Sequence, residues 1–280
     1  MSRFQTALDV VHSTLRELHE QGVELRASAD TLARLASTPP AEPVAKPVSK
    51  PSPEPERAPV LPKPDVSAPV SNDSKTGRLA ALREPVLACR KCPHLAKSRT
   101  QVVFGVGNPE AELMFVGEAP GEDEDLQGEP FVGKAGQLLT KIIEAMGFAR
   151  GDVYIANVLK CRPDMPPGMP GNRKPKMEEM QTCLPYLRQQ IDIIQPRLLV
   201  ALGATAMEGL LGATEPMGRL RGRWHDFQGT PLMATYHPAY LLRNQSLAEK
   251  RKVWEDMLLV LERLEKPITE KQRNFFLPKS

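Results

Sequence analysis

Eleven prolines fall between Pro39 and Pro69, mixed with Ala, Val, Lys, Glu and Ser and with no aromatic residue. Such a segment cannot bury enough apolar surface to offset its ordering entropy, so residues 38–74 are expected to form a disordered, Pro-rich linker. At roughly 3.1 Å per residue in polyproline-like stretches, it can reach on the order of 100 Å. The run splits the 280 residues into a short N-terminal piece and a remainder large enough for a buried core. A composition of 41% hydrophobic and 25% charged residues excludes a wholly disordered chain. The formal net charge of +3 excludes a uniformly basic coat, so any nucleic-acid affinity must come from a local cluster.

Before the linker, Phe4, Leu8, Val11, Leu15, Leu18, Gly22, Leu25, Ala29, Leu32 and Ala36 recur at alternating intervals of four and three, the rhythm of a helix seam. Residues 1–37 are therefore expected to be an amphipathic helix serving self-association or the docking of a protein partner. A helix packed on the main domain is the alternative, and Gly22 weakens the seam. The longest largely apolar run, Leu198–Met207, is too short to cross a bilayer, and Met1–Thr6 lacks the apolar stretch of a signal peptide. Four cysteines do not make a secreted disulfide scaffold. No membrane partner is expected, and the expected location is cytoplasmic.

From residue 75 to about 266 the pattern alternates, followed by a tail over 267–280. Strands are expected at Glu112–Val116, Val153–Ala156, Arg197–Leu202 and Pro231–Tyr236, with helices at Gly136–Met146, Lys176–Ile194 and Thr205–Leu211. A last helix opens at Ser246 with capping-box spacing to Glu249. This order implies an α/β fold, a three-layer αβα sandwich on a four-stranded, mostly parallel sheet.

Ligands of such sheets bind beyond the carboxyl ends of the strands. There the sequence places Gly117-Glu-Ala-Pro-Gly121 and Pro130-Phe-Val-Gly133, then Asn157 with Lys160-Cys-Arg-Pro163, then Gly203, then Tyr236-His-Pro-Ala-Tyr240. That clustering points to a site, although each residue alone has a plainer reading: Asn157 as a turn cap, His237 and Phe131 as core. Gly105-Val-Gly107 precedes its strand and is not a nucleotide loop. Cys89 and Cys92 form a C-x-x-C pair that Cys161 and Cys183 complete to four, which suits tetrahedral zinc or an iron–sulfur cluster. A redox dithiol on the first pair and four unrelated thiols are the alternatives.

Several long motifs carry a resemblance. Gly117-Glu-Ala-Pro-Gly-Glu-Asp-Glu-Asp125, Gly128-Glu-Pro-Phe-Val-Gly-Lys-Ala-Gly-Gln-Leu-Leu139, Asn157-Val-Leu-Lys-Cys-Arg-Pro163, Gly171-Asn-Arg-Lys-Pro175 and Tyr236-His-Pro-Ala-Tyr-Leu-Leu-Arg243 resemble type-4 uracil-DNA glycosylases. The likeness runs over roughly residues 78–265. It implies a [4Fe-4S] cluster on Cys89, Cys92, Cys161 and Cys183, and hydrolysis of the N-glycosidic bond of uracil in DNA to an abasic site. That places the protein in base-excision DNA repair, with uracil-containing DNA as partner and a nucleoid-associated location. Met165–Pro170 looks like an insertion, and residues 163–176 contain no histidine, which favours ordinary hydrolysis over covalent trapping.

The resemblance also assigns roles. Phe131 would stack on a flipped uracil, and Asn157 would read its edge. His237 would hydrogen-bond the departing base at O2, with backbone N–H groups from Gly117 to Ala119 holding the same anion. Ala119 stands where better-known relatives carry a water-positioning aspartate, which leaves Glu118 and Glu124 as the candidate catalytic carboxylates. Arg162, Arg173, Lys174 and Arg243 would contact DNA, with Leu241 and Leu242 wedging into the gap left by the base. No lysine is among the residues assigned to uracil binding or catalysis, so no Schiff base is expected and release is expected to be monofunctional. The alternative is a non-catalytic uracil- or nucleic-acid-binding protein with a structural metal centre. Residues 1–37 would then serve to concentrate the enzyme at a target and would be dispensable for cleavage.

Overall fold

A computed structural model of the chain describes residues 73–166, 169 and 171–277. The expected N-terminal helix and nearly all of the linker lie outside these residues. The first described helix, α1 (Lys75–Leu87), starts directly after Ser74, whose hydroxyl accepts from Gly77 N at 3.1 Å.

Three strands are buried at every position: β2 (Leu113–Gly117), β3 (Tyr154–Asn157) and β4 (Leu198–Leu202). Continuous apolar runs of this kind belong to parallel strands covered on both faces. With β6 (Thr230–Thr235) they make a parallel centre in the order β3-β2-β4-β6.

The sheet has six strands, not the four expected, because an antiparallel strand closes each edge: β1 (Val106–Gly107) beside β3, and β5 (Trp224–Phe227) beside β6. Both escape sequence reading for a physical reason. An edge strand is paired on one side only and needs no apolar run, and β1 is two residues long. Gly107 does have a job there: at φ 129° a Cβ would lie 1.9 Å from the Val153 carbonyl oxygen, so only glycine lets this edge pair.

Alternate side chains feed two cores. Met114, Val116, Ala156, Leu199, Ala201 and Leu232 face α1, α5 (Met177–Ile194) and α6 (Ala204–Leu211). Leu113, Phe115, Ile155, Leu198, Val200 and Met233 face α4 (Lys134–Met146) and α9 (Leu247–Arg263). Helices thus cover both faces. Between β2 and α4 lies the acidic helix α3 (Glu122–Gln127), and α2 (Pro93–Ser98) precedes β1. The remaining helices are short: α7 (Met217–Leu220), α8 (Pro238–Arg243) and α10 (Glu270–Arg273). Among the described residues, no helix is long and apolar enough to cross a membrane.

The segment after Lys266, expected as a tail, packs on the domain up to Leu277. Trp254 Nε1 donates to Gln272 O at 2.6 Å, Gln272 Nε2 donates to Ala145 O at 2.9 Å, and the Phe275 ring lies 5.1 Å from that of Trp254. An indole buried in the core needs an acceptor, and this turn supplies it.

One buried ion pair pins the end of β6. Asp256 is fully buried and accepts from Thr235 Oγ1 at 2.7 Å and from Arg221 at 2.7 and 3.1 Å. Desolvation pushes the Asp256 pKa up to about 6 despite those partners. Arg221→Met is expected to cost about 3–5 kcal/mol near neutral pH, the penalty of an unpaired buried carboxylate. The loss should shrink at about pH 5, because a protonated acid needs no counterion. Urea denaturation at both pH values measures it, and adding Asp256→Asn should recover most of it.

Candidate active site

The parallel strands all end at one edge, where the registers Gly117–Asn157 and Leu202–Thr235 bring their last residues level. A cavity of about 350 Å³ opens there, lined by Glu118–Gly121, Glu124, Phe131, Ala135, Asn157, Asn172, Arg173, His237, Ala239 and Arg243. Its shape depends on an absent side chain. A Cβ on Gly117 would lie 2.4 Å from Asn157 Oδ1 and 2.5 Å from the Phe131 ring, so glycine alone lets both sit against the end of β2. Phe131 is buried, and its ring centroid is 5.6 Å from that of His237.

Asn157 is 2% exposed, and its Oδ1 has no hydrogen-bond partner, the only such buried side-chain N or O among the described residues. An orphaned amide oxygen costs about 1–3 kcal/mol unless a donor reaches it. His237 is the N-cap of α8, and its Nδ1 accepts from Ala239 N at 3.1 Å. That bond fixes the tautomer and leaves Nε2–H as the donor. Burial, and secondarily the Arg243 charge, pushes the His237 pKa down to about 4, with Glu124 opposing. The imidazole is neutral at physiological pH.

The two expected carboxylates differ. Glu118 lines the cavity, and burial raises its pKa, while a hydrogen bond with Thr205 and the Lys174 charge lower it. Glu124 also lines the cavity, but both of its oxygens are committed to backbone. Oε2 accepts from Gly121 N, and Oε1 accepts from Val132 N and Gly133 N, each at 3.0 Å. It braces two loops against each other from the position expected for a candidate catalytic carboxylate.

The expected DNA contacts also separate. Arg162 donates to Gly171 O and Asn172 Oδ1. Arg173 is locked to Glu179 and Asp164, yet reaches the cavity, and Lys174 pairs with Glu208. Arg243 lines the mouth with no ion pair among the described residues. Leu241 is only 5% exposed and belongs to the packing beneath α8, whereas Leu242 is 38% exposed. Asn172 is a cavity residue that had no role at the sequence level. Its only signal is its place in the Gly171-Asn-Arg-Lys-Pro175 motif.

The four cysteines converge beside this edge. Cys89 follows α1, Cys92 caps α2, Cys161 follows β3 and Cys183 lies on α5. Each responds to its neighbours. Desolvation raises the Cys92 pKa first, then the charges of Cys161 and Cys89, while burial pushes Cys183 up to about 12. Polar hydrogens point at the sulfurs: Arg99 Nη1 donates to Cys161 Sγ at 3.0 Å and Lys160 N to Cys183 Sγ at 3.3 Å. Donors of this kind suit metal-bound thiolates.

Among the described residues, the one group of three metal-ligating side chains with all ligand atoms within 4.8 Å of one another is His94, Asp164 and Glu179. The guanidinium of Arg173 already joins Asp164 and Glu179.

The family profile described as Uracil DNA glycosylase superfamily matches residues 104–258. The chain belongs to that superfamily. Within it, the chain is more similar to type-4 than to type-5 uracil-DNA glycosylases. The type-4 uracil-DNA glycosylase of Thermotoga maritima is 47% identical over 176 residues, 62% of this chain and 88% of that protein. Its counterparts from Archaeoglobus fulgidus (43% over 173 residues, 59% and 83%) and Pyrobaculum aerophilum (46% over 179 residues, 60% and 87%) are comparably similar.

The depressed His237 pKa has a measurable consequence. The unfolded imidazole, near 6.5, takes up a proton that the folded one refuses until about pH 4. Stability is therefore lost as pH falls through that window, by up to about 3 kcal/mol. Thermal melts from neutral pH to about pH 4.5 should fall less steeply for His237→Gln than for the parent protein.

Proposed function

We infer that this chain excises uracil from DNA in base-excision repair, hydrolysing the N-glycosidic bond and leaving an abasic site. The observation that carries the reading is the unpartnered Asn157 Oδ1 inside a cavity that also holds Phe131 and a neutral His237. Uracil offers N3–H to that oxygen and O4 to the amide nitrogen. Cytosine presents the opposite polarity at both positions, leaving buried groups unpaired. Discrimination then rests on one amide held at the end of β3.

A base in a duplex must be flipped out, at a cost of a few kcal/mol in stacking and pairing. Phe131 returns about 1–3 kcal/mol as the replacement stack. Arg243 meets phosphate, and Leu242 fills the space left behind. As the C1′–N1 bond breaks, its electron pair leaves with the base, and negative charge grows on uracil O2. His237 Nε2–H is the donor for that oxygen. A neutral imidazole already oriented by Ala239 N needs no reorganisation, which is where electrostatic catalysis gains most. Water adds its oxygen to C1′ and releases a proton. Ala119 offers no base for it, so Glu118, which no backbone amide holds among the described residues, is the remaining carboxyl in the cavity. No lysine lines the cavity among the described residues, which supports monofunctional release.

Cys89, Cys92, Cys161 and Cys183 are proposed to hold a [4Fe-4S] cluster, which when bound supplies a covalent cross-link among α1, α2, the loop after β3 and α5. No chemical step passes through it. The nucleoid is the proposed place of action.

Uracil release from an oligonucleotide with a single U·G pair, read by alkaline cleavage of the abasic strand, tests the reading. Asn157→Asp should slow release about 10–100-fold, since a carboxylate repels O4. Unchanged turnover would remove Asn157 from the base-reading role, and release of no base by the parent protein would favour a binding module. Borohydride should trap no protein–DNA adduct. Anaerobically purified protein should contain iron and acid-labile sulfide in equal amounts, and Cys183→Ala should lose both.

A further inference from the structure

Phe131 adopts φ 56°, in the left-handed region that a bulky side chain avoids. Four other non-glycine residues have positive φ, and all are exposed at turns or helix ends, whereas Phe131 is buried in the cavity. Strain of this kind persists only where the surroundings over-determine it.

Three neighbours do so here. The Phe131 carbonyl packs on Gly136, where a Cβ would lie 1.8 Å from the oxygen. Glu124 Oε1 holds the two amides after Phe131. The carbonyl before it, Pro130 O, accepts from Arg150 Nη2 at 2.7 Å. Arg150 lies in the 3-10 turn Arg150–Asp152 that leads into β3, and Nη1 donates to Thr140 Oγ1 at 3.1 Å. Thr140 in turn donates to Gly136 O at 3.1 Å. A single guanidinium thus ties the strap to the helix turn on which the Phe131 carbonyl rests. It makes no ion pair among the described residues, and both groups it bonds are neutral.

We propose that Arg150 is a positioning residue for base recognition, holding the Pro130–Gly133 strap in the turn that aims the Phe131 ring beside His237. This rests on the reading of Phe131 as the stacking partner of uracil. A stack made equally with bound substrate and transition state contributes to KM and leaves kcat alone. Lysine can bond Pro130 O but cannot also reach Thr140 in the same fork.

Steady-state kinetics on the U·G oligonucleotide tests this with Arg150→Met, Arg150→Lys, Phe131→Ala and the double variant Arg150→Met/Phe131→Ala. Arg150→Met should raise KM about tenfold with kcat changed less than about twofold, and Arg150→Lys should recover part of the loss. The double variant should be no worse in KM than Phe131→Ala alone, because Arg150 acts through the ring. An unchanged KM in Phe131→Ala would overturn the stacking reading itself. A raised KM in Phe131→Ala beside a parent-like Arg150→Met would overturn the positioning role alone, and so would equal, additive losses in the double variant. Should Arg150→Met fold poorly, Thr140→Val removes one arm of the same tie and should raise KM by a smaller factor. A parent-like KM in that variant counts against the proposal.

Discussion

At Gly117 the end of β2 runs so close to Asn157 and Phe131 that a methyl group there would sit 2.4 Å from the amide oxygen and 2.5 Å from the ring. Amide and ring can share a floor only because this position has no side chain. The close approach follows from the sheet itself, since Gly117 and Asn157 are register partners on adjacent parallel strands. The strands are fixed in turn by cores on both faces, so the geometry of recognition is inherited from packing far from the site.

Around that floor the protein tolerates several local costs. The Asn157 oxygen is buried without a partner, the His237 imidazole is desolvated, and Phe131 is held at φ 56°. Each would be unfavourable in an ordinary core. Together they leave the cavity with an open acceptor, a neutral imidazole and an aromatic ring, the features on which the proposed reading of uracil rests. Supporting groups are committed close by: Glu124 accepts from three backbone amides, Arg150 donates to a backbone carbonyl, and Asp256 accepts from the side-chain hydroxyl of the threonine two residues before His237.

The cysteine cluster and the cavity share their connections. Asn157 and Cys161 lie on one short segment, and Arg173, which lines the cavity, is held by Glu179, one helical turn before Cys183 on α5. A centre held by the four sulfurs, as proposed, would stiffen the loop after β3 and the helix behind it, and with them the segment that carries Asn157.

The sequence by itself determined the order of parallel strands and covering helices, because strands buried on both faces must be written as apolar runs. It also placed the glycine turns, Asn157 and His237 at strand ends, since those positions are local in the chain, and it showed four cysteines with a C-x-x-C pair among them. The edge strands, the packed C-terminal turn and the division of labour among charges were decided only in three dimensions. Glu118 and Glu124 look alike as residues, and so do Leu241 and Leu242. What separates them is whether a backbone amide, a helix underside or open cavity lies opposite. That is set by contacts between segments distant in sequence, as when Arg150 reaches back to Pro130, and no local pattern encodes such a partner.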